Sequence, residues 1–249
     1  MIGEIAVIVP ARDEEDEIIG CIEAILASFA RLEDCARRIR QRVIVVADAC
    51  TDSTAEAVAG LASVHPSIEL LSTTFANVGR ARNAAGDHVL STTDREVPSD
   101  LVATATEEVW LAFTDADSRV PEQWISAHLE HAEADADCLV GTVAPRIGTG
   151  PADLLARWHD AHELRDDHLY VFGANLGLRG SLFTRIGGVP PLACGEDAAI
   201  VAAVLEAGGQ VRRTDAGRVL TSARLTSRTT GGFSAYLQRL VEPTDAGIG

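Results

Sequence analysis

Short β-branched apolar runs alternate with longer stretches of helical period along the first half of the chain. Residues 5–9 form a continuous apolar run closed by Pro10, the pattern of a strand buried on both faces that ends at the proline. Residues 14–32 place apolar side chains at 18, 22, 25, 26 and 29, close to a helical repeat, and a second apolar run follows at 43–47. Together they predict one strand-helix-strand unit. Asp52-Ser53-Thr54 can cap a helix running to Leu61, residues 68–71 read as a third strand, 77–90 as a helix and 110–114 as a fourth strand. Strands joined by crossover helices imply an α/β fold with a mostly parallel central sheet flanked by helices.

The second half is less regular. Residues 91–108 are polar, contain Pro98 and read as a surface insertion with a short helix from Asp100. Residues 121–134 suit a helix, 138–143 a strand and 152–169 a helix, while 173–188 are glycine-rich. A helix over 196–207 has Ile200, Val201, Val204 and Leu205 on one face and stops at Gly208-Gly209. Beyond Thr221 the pattern fades into what reads as a mobile tail.

Composition then removes whole classes of function. The 249 residues suffice for a core without disulfide or metal staples. Acidic side chains number 37 against 21 basic ones, a net charge of −16 that repels phosphate backbones and argues against nucleic acid as a partner. All 21 basic residues are arginine. Schiff-base chemistry, pyridoxal enzymes and the lysine of a phosphate-binding P-loop are therefore excluded. The five cysteines include no Cys-x-x-Cys pair, so a reducing cytoplasm is the expected setting. Met1-Ile2-Gly3-Glu4 lacks the basic start of a signal peptide, and no apolar stretch approaches membrane-spanning length.

Candidate chemistry gathers where the predicted strands stop. Phe113-Thr114-Asp115-Ala116-Asp117-Ser118 puts an Asp-x-Asp pair directly after an apolar strand, where parallel sheets build their sites. Two such carboxylates form a hard oxygen site for Mg²⁺ or Mn²⁺; they also suit a solvated acidic turn before a helix. Pro10-Ala11-Arg12-Asp13-Glu14 follows the first strand, and Asp48-Ala49-Cys50-Thr51-Asp52 the second. Acids there can accept hydrogen bonds from a ribose or a base, although Asp52 equally suits a helix N-cap. No Gly-x-Gly-x-x-Gly follows the first strand, which disfavours nicotinamide and flavin cofactors. Asn77-Val78-Gly79-Arg80-Ala81-Arg82-Asn83 adds two arginine forks for anionic oxygens and two of the three asparagines in the chain. The pairs His128/His131 and His159/His162 lack the glutamate of a metalloprotease motif and read as members of charged, exposed helices; Cys50 reads as buried filler.

Taken in order and spacing, Pro-Ala-Arg-Asp-Glu, Asp-x-Cys-Thr-Asp-x-Thr, Asn-x-Gly-x-x-x-Asn and Asp-x-Asp resemble a family 2 glycosyltransferase of GT-A, Rossmann-like nucleotide-diphospho-sugar transferase fold, over about residues 4–233. The resemblance implies a single 1–249 domain, with a nucleotide-sugar half at 1–118, an acceptor half at 119–220 and a flexible C-terminal loop and tail at 221–249. It implies donor binding by Pro10, Ala11, Arg12, Glu14, Asp48, Arg82 and Asp115, with Asp117 as the metal ligand. The family's Glu-Asp motif matches Glu196-Asp197, making Asp197 the general base and Glu196, with Asn175, neighbours of the acceptor and sugar. Arg228 in the C-terminal loop would close over the diphosphate; Arg224 fits that role as well as it fits an ordinary surface arginine.

The expected activity is inverting transfer from a UDP-sugar, or next a GDP-sugar, to a hydroxyl of a small-molecule or lipid-linked acceptor, with Mg²⁺ or Mn²⁺. A cytoplasmic location follows, at the membrane periphery for a lipid-linked acceptor, and a homodimer is left open. Two departures stand out. Asp13 occupies a position where the family often has asparagine, and Thr221-Ser222 stand where several relatives have a metal-binding histidine. The Gln-x-x-Arg-Trp signature of processive synthases is absent, which favours single-sugar transfer. The rival readings are a nucleotide-sugar-binding or regulatory protein without turnover, and a sugar-phosphate nucleotidyltransferase, which the lack of lysine disfavours.

Overall fold

A computed structural model describes residues 1–33, 39–95, 102–226 and 232–241. β1 (Glu4–Ala11), α1 (Ile18–Glu33), β2 (Arg40–Asp48), α2 (Thr54–Ala62) and β3 (Ile68–Thr73) lay down three adjacent parallel strands. α3 (Val78–Arg95) and α4 (Val102–Glu107) lead to β4 (Val109–Phe113), which lies parallel to β1 on its other side. The second half adds β5 (Ser118–Arg119), α5 (Trp124–Glu133), β6 (Cys138–Pro145), α6 (Leu154–Ala161), β7 (Leu176–Arg179), α7 (Gly180–Arg185), α8 (Glu196–Glu206), β8 (Val211–Thr221) and α9 (Phe233–Val241).

The strands form one eight-stranded sheet in the order β3-β2-β1-β4-β7-β6-β8-β5. β7 runs antiparallel to both neighbours, and β5 antiparallel to β8; every other pairing is parallel. Alternate side chains of β1 explain its unbroken apolar run. Ile5, Val7 and Val9 enter a core with Ile18, Ile22 and Ile25 of α1, while Ala6 and Ile8 enter a second core with Ala81, Ala85 and Val89 of α3.

The first strand continues one residue past Pro10. Pro10 and Ala11 pair only with Val46 and Ala47 of β2, because the register with β4 stops at Ile8 and Phe113. Proline is tolerated where one side of the strand has no partner. That same early stop opens a notch at the carboxyl edge of the sheet, between β1 and β4.

Elsewhere tertiary packing redraws the sequence reading. α3 continues to Arg95, so residues 91–95 are helix rather than insertion; 96–101 lie outside the described residues. The helix expected over 152–169 is confined to Leu154–Ala161, and the glycine-rich stretch holds β7 and α7. Leu205 is exposed, leaving Ile200, Val201 and Val204 as the buried face of α8. Residues beyond Thr221 are not a loose tail throughout: Ala223 is buried, and α9 inserts Leu237 into the core while Phe233 and Tyr236 pack edge-on against Trp158.

One member of each histidine pair also departs from expectation, while His159 is exposed as expected. His128 is buried between Trp110 and Trp124, and its Nδ1 accepts a hydrogen bond from Trp110 Nε1 at 3.0 Å. His162 is buried and stacked on Trp158 at a ring separation of 3.7 Å. Burial pushes His128 down to about 3 from the usual 6.5. Between those values the unfolded chain takes up a proton that folded His128 refuses, so stability present above pH 6.5 is lost as pH falls, by about 1.4 kcal/mol per pH unit. Urea titrations from pH 7 to pH 4 should show His128→Gln with a shallower decline than the parent by one proton; identical slopes would refute the assignment.

Candidate active site

The loops after β1 and β2 are clasped together by short acidic side chains. Thr51 donates its backbone N–H and hydroxyl to Asp13 Oδ1 at 2.6 and 3.1 Å, Asp52 Oδ2 accepts Glu15 N–H, and Glu15 Oε2 accepts Ser53 N–H. Asp52 Oδ1 also accepts from the backbone N–H and hydroxyl of Thr54 at the start of α2, close to the expected capping role. Asp13 and Ala49 have positive φ, 52° and 54°, which gives the tight path of both loops. Asp13, Cys50 and Asp52 are close enough to share a cation, but Asp13 Oδ1 and both Asp52 oxygens are engaged in this clasp, and Cys50 donates to Ala11 O at 3.4 Å.

Asp48, at the end of β2, is buried. Its Oδ1 accepts from Thr73 Oγ1 and from Phe75 and Ala76 N–H, and its Oδ2 accepts from Asn77 N–H. It thus pins the loop that starts α3. Pro10 is half-buried, Ala11 buried and Arg12 exposed beside it.

The Asp-x-Asp pair follows β4 at the notch. Asp117 is largely buried, and its Oδ1 accepts from Thr221 Oγ1 at 3.3 Å. Arg224 crosses from the chain beyond β8 to hold Asp117 Oδ2 at 3.0 Å and to grip both oxygens of Glu14. Burial, reinforced by Asp115, pushes the Asp117 carboxyl up to about 6, with Arg224 opposing. Arg119 and Arg146 hold the two oxygens of Glu17 nearby at 2.7 and 2.6 Å.

Arg82 links the two halves. Its guanidinium is 2% exposed and reaches Asp115 Oδ1 at 2.8 Å, Glu196 Oε1 at 2.9 Å and Gly173 O at 3.2 Å. Burial raises the Glu196 carboxyl while Arg82 opposes the shift. Gly173 in turn donates its N–H to Asp197 Oδ2 at 3.0 Å, and Asp197 Oδ1 accepts from Ala198 N–H. Asp197 lies in the first turn of α8, and Gly195 turns the chain into that helix at φ 79°. One buried arginine therefore couples the Asp-x-Asp loop to the Glu-Asp helix.

Asn175 does something other than hold a sugar. It is 1% exposed; its Nδ2 donates to Thr142 O at 2.8 Å and Gly217 O at 3.1 Å, and its Oδ1 accepts from Trp124 Nε1 at 2.8 Å. No donor is left for a ligand, since both amide hydrogens are used. Gly141 is glycine because a Cβ there would run into this amide. Arg228 lies outside the described residues. Arg224 and Glu17 are the partners that motif reading undervalued; only the charge of Arg224 and its place after Thr221 hinted at a role.

The donor set suits a hard divalent cation. Asp117 is a carboxylate forced upward by burial and a like charge, the condition a cation relieves, and a guanidinium already stands against it as a positive stand-in. A cleft of about 280 Å³ beside it is lined by Asp13, Glu14, Asp16, Glu17, Thr149, Ser222 and Arg224.

An α/β fold with a mostly parallel sheet flanked by helices is the GT-A fold, and solved structures share it. S. aureus TarS 1-349 matches with a TM-score of 0.58 at 15% identity, covering 89% of this chain and 61% of that one. The mannosyltransferase PcManGT from Pyrobaculum calidifontis, in complex with GDP-Man and Mn²⁺, gives 0.61 at 18%, covering 88% and 57%. The chain spans less than two thirds of either, and at such identity the likeness is one of fold. The glycosyl transferase family 2 model matches residues 6–188, and the chain belongs to that family. No curated protein matches it in sequence. Among the described residues, no helix is long and apolar enough to cross a membrane.

Proposed function

We propose that the protein transfers a sugar from a nucleoside diphosphate sugar, with UDP or GDP as the nucleotide, to a hydroxyl acceptor with inversion at the anomeric carbon. The observation that carries this reading is the Arg82 bridge, which sets Asp115 of the donor loop and Glu196, next to Asp197, against one guanidinium. A donor half and a base-bearing half thereby face a shared notch.

In this reading Asp197 accepts the acceptor hydroxyl proton as that oxygen attacks the anomeric carbon from the face opposite the diphosphate. The Gly173 and Ala198 amides keep its carboxylate oriented. Asp117, with Asp115 beside it, would hold Mg²⁺ or Mn²⁺, which supplies charge neutralisation to the departing diphosphate. Pro10 and Ala11 pair with β2, and with Arg12 and Asp48 they would border the nucleoside. Asp48 would act there through the loop it pins.

Thermal unfolding with UDP, GDP and their sugars, each with and without Mn²⁺, tests the reading. A ligand at 100 times its dissociation constant stabilises by about 2.7 kcal/mol. We expect a metal-dependent gain with one nucleotide and its loss in Asp117→Asn. The same gain in that variant would refute the metal assignment, and no gain with any nucleotide would refute the donor site.

A further inference from the structure

We infer that Arg224 is a specificity-determining residue that admits the divalent cation together with a nucleoside diphosphate and excludes the cation alone. The inference deepens the proposed function and rests on Asp117 as the metal ligand.

The geometry gives the reason. Arg224 Nη2 sits 3.0 Å from Asp117 Oδ2, so a cation bonded to that oxygen would meet the guanidinium at close range. The arginine is not free to drift. Both Glu14 oxygens hold its fork, Ala223 N–H donates to Thr149 Oγ1 at 2.8 Å, and the Ala223 side chain is buried. A lone cation must therefore displace a paired guanidinium from a largely buried carboxylate and leave two like charges side by side.

A diphosphate alone fares no better, because the cleft beside Arg224 is lined by Asp13, Glu14, Asp16 and Glu17. Arg119 and Arg146 pair with Glu17 and Arg224 itself with Glu14, and the carboxylates of Asp13 and Asp16 add to the acidic lining. Cation and diphosphate arriving together remove both obstacles. The phosphate oxygens offer the displaced fork a bidentate anionic partner, and the cation screens the acids from the phosphates. Metal and nucleotide should thus bind with strong positive coupling, which is reciprocal by linkage.

The full chain, its Arg224→Gln variant and its Arg224→Lys variant should be titrated with Mn²⁺, following free Mn²⁺ by electron paramagnetic resonance, first alone and then with UDP or GDP. The parent should bind Mn²⁺ alone poorly and bind it well with one nucleotide. Arg224→Gln should bind Mn²⁺ alone about tenfold tighter and gain correspondingly less from the nucleotide. Arg224→Lys keeps a positive charge for folding but lacks the fork, and should fall between the two. Variants that bind Mn²⁺ alone no tighter than the parent, while all three bind the Mn²⁺–nucleotide pair, would overturn the gating role and leave the proposed function standing. A parent that binds no Mn²⁺–nucleotide pair would overturn both.

Discussion

Asp197→Asn should retain Mn²⁺-dependent nucleotide binding yet slow release of nucleoside diphosphate from the donor sugar by about a thousandfold, within the span typical for removing a general base. Asparagine keeps one carbonyl oxygen to accept from Gly173 or Ala198 N–H, so the loop before β7 and the start of α8 stay close to their places. It loses the capacity to take a proton. Donor turnover in water reports on the same group, because water replaces the acceptor hydroxyl, and the rate is read by coupled detection of UDP or GDP. Equal losses in binding and turnover would make Asp197 a brace for the Gly173 loop rather than a base.

Asn175→Ala should lower stability by about 4 kcal/mol, since it leaves an indole N–H and two carbonyls unpaired in the interior. For a chain of this size that corresponds to a fall in melting temperature of roughly 10 °C. The surroundings explain why the cost is high. Gly141 presses against the amide, so collapse cannot close the gap without moving β6, and Trp124 carries the start of α5 with it. Scanning calorimetry separates this from a sugar-binding role, in which the melting temperature would hold and only donor affinity would fall.

These two residues show how differently the site and its support were legible along the chain. The positions of Asp115, Asp117 and Asp197 in the fold are legible because each follows or opens an element whose period is local: an apolar run that stops, or the first turn of a helix. The family resemblance alone assigns Asn175 to the sugar, and the fold gives it a different role. Its partners Thr142, Gly217 and Trp124 lie 33 to 51 residues away, and nothing within its own loop distinguishes a hydrogen-bonded interior amide from one facing a sugar. Arg82 looked like a ligand for anions because arginine forks generally are. Its actual anions are Asp115 and Glu196, protein carboxylates brought to it by the sheet.

What the residues determine by themselves is what depends on neighbours in the chain. Two-sided burial follows from unbroken β-branched runs, helices from apolar side chains at helical spacing, and the excluded chemistries from a composition without lysine. The acids at three strand ends belong here too, since strands of a parallel sheet end on one edge. Only the tertiary structure decides which of these charges remain available. The Arg224 grip on Glu14 spans 210 residues, and the clamp from Arg82 to Glu196 spans 114. Pairings across such distances are made by strand order and register, which bring α3, β4, α8 and the chain beyond β8 to one notch; no local period encodes them.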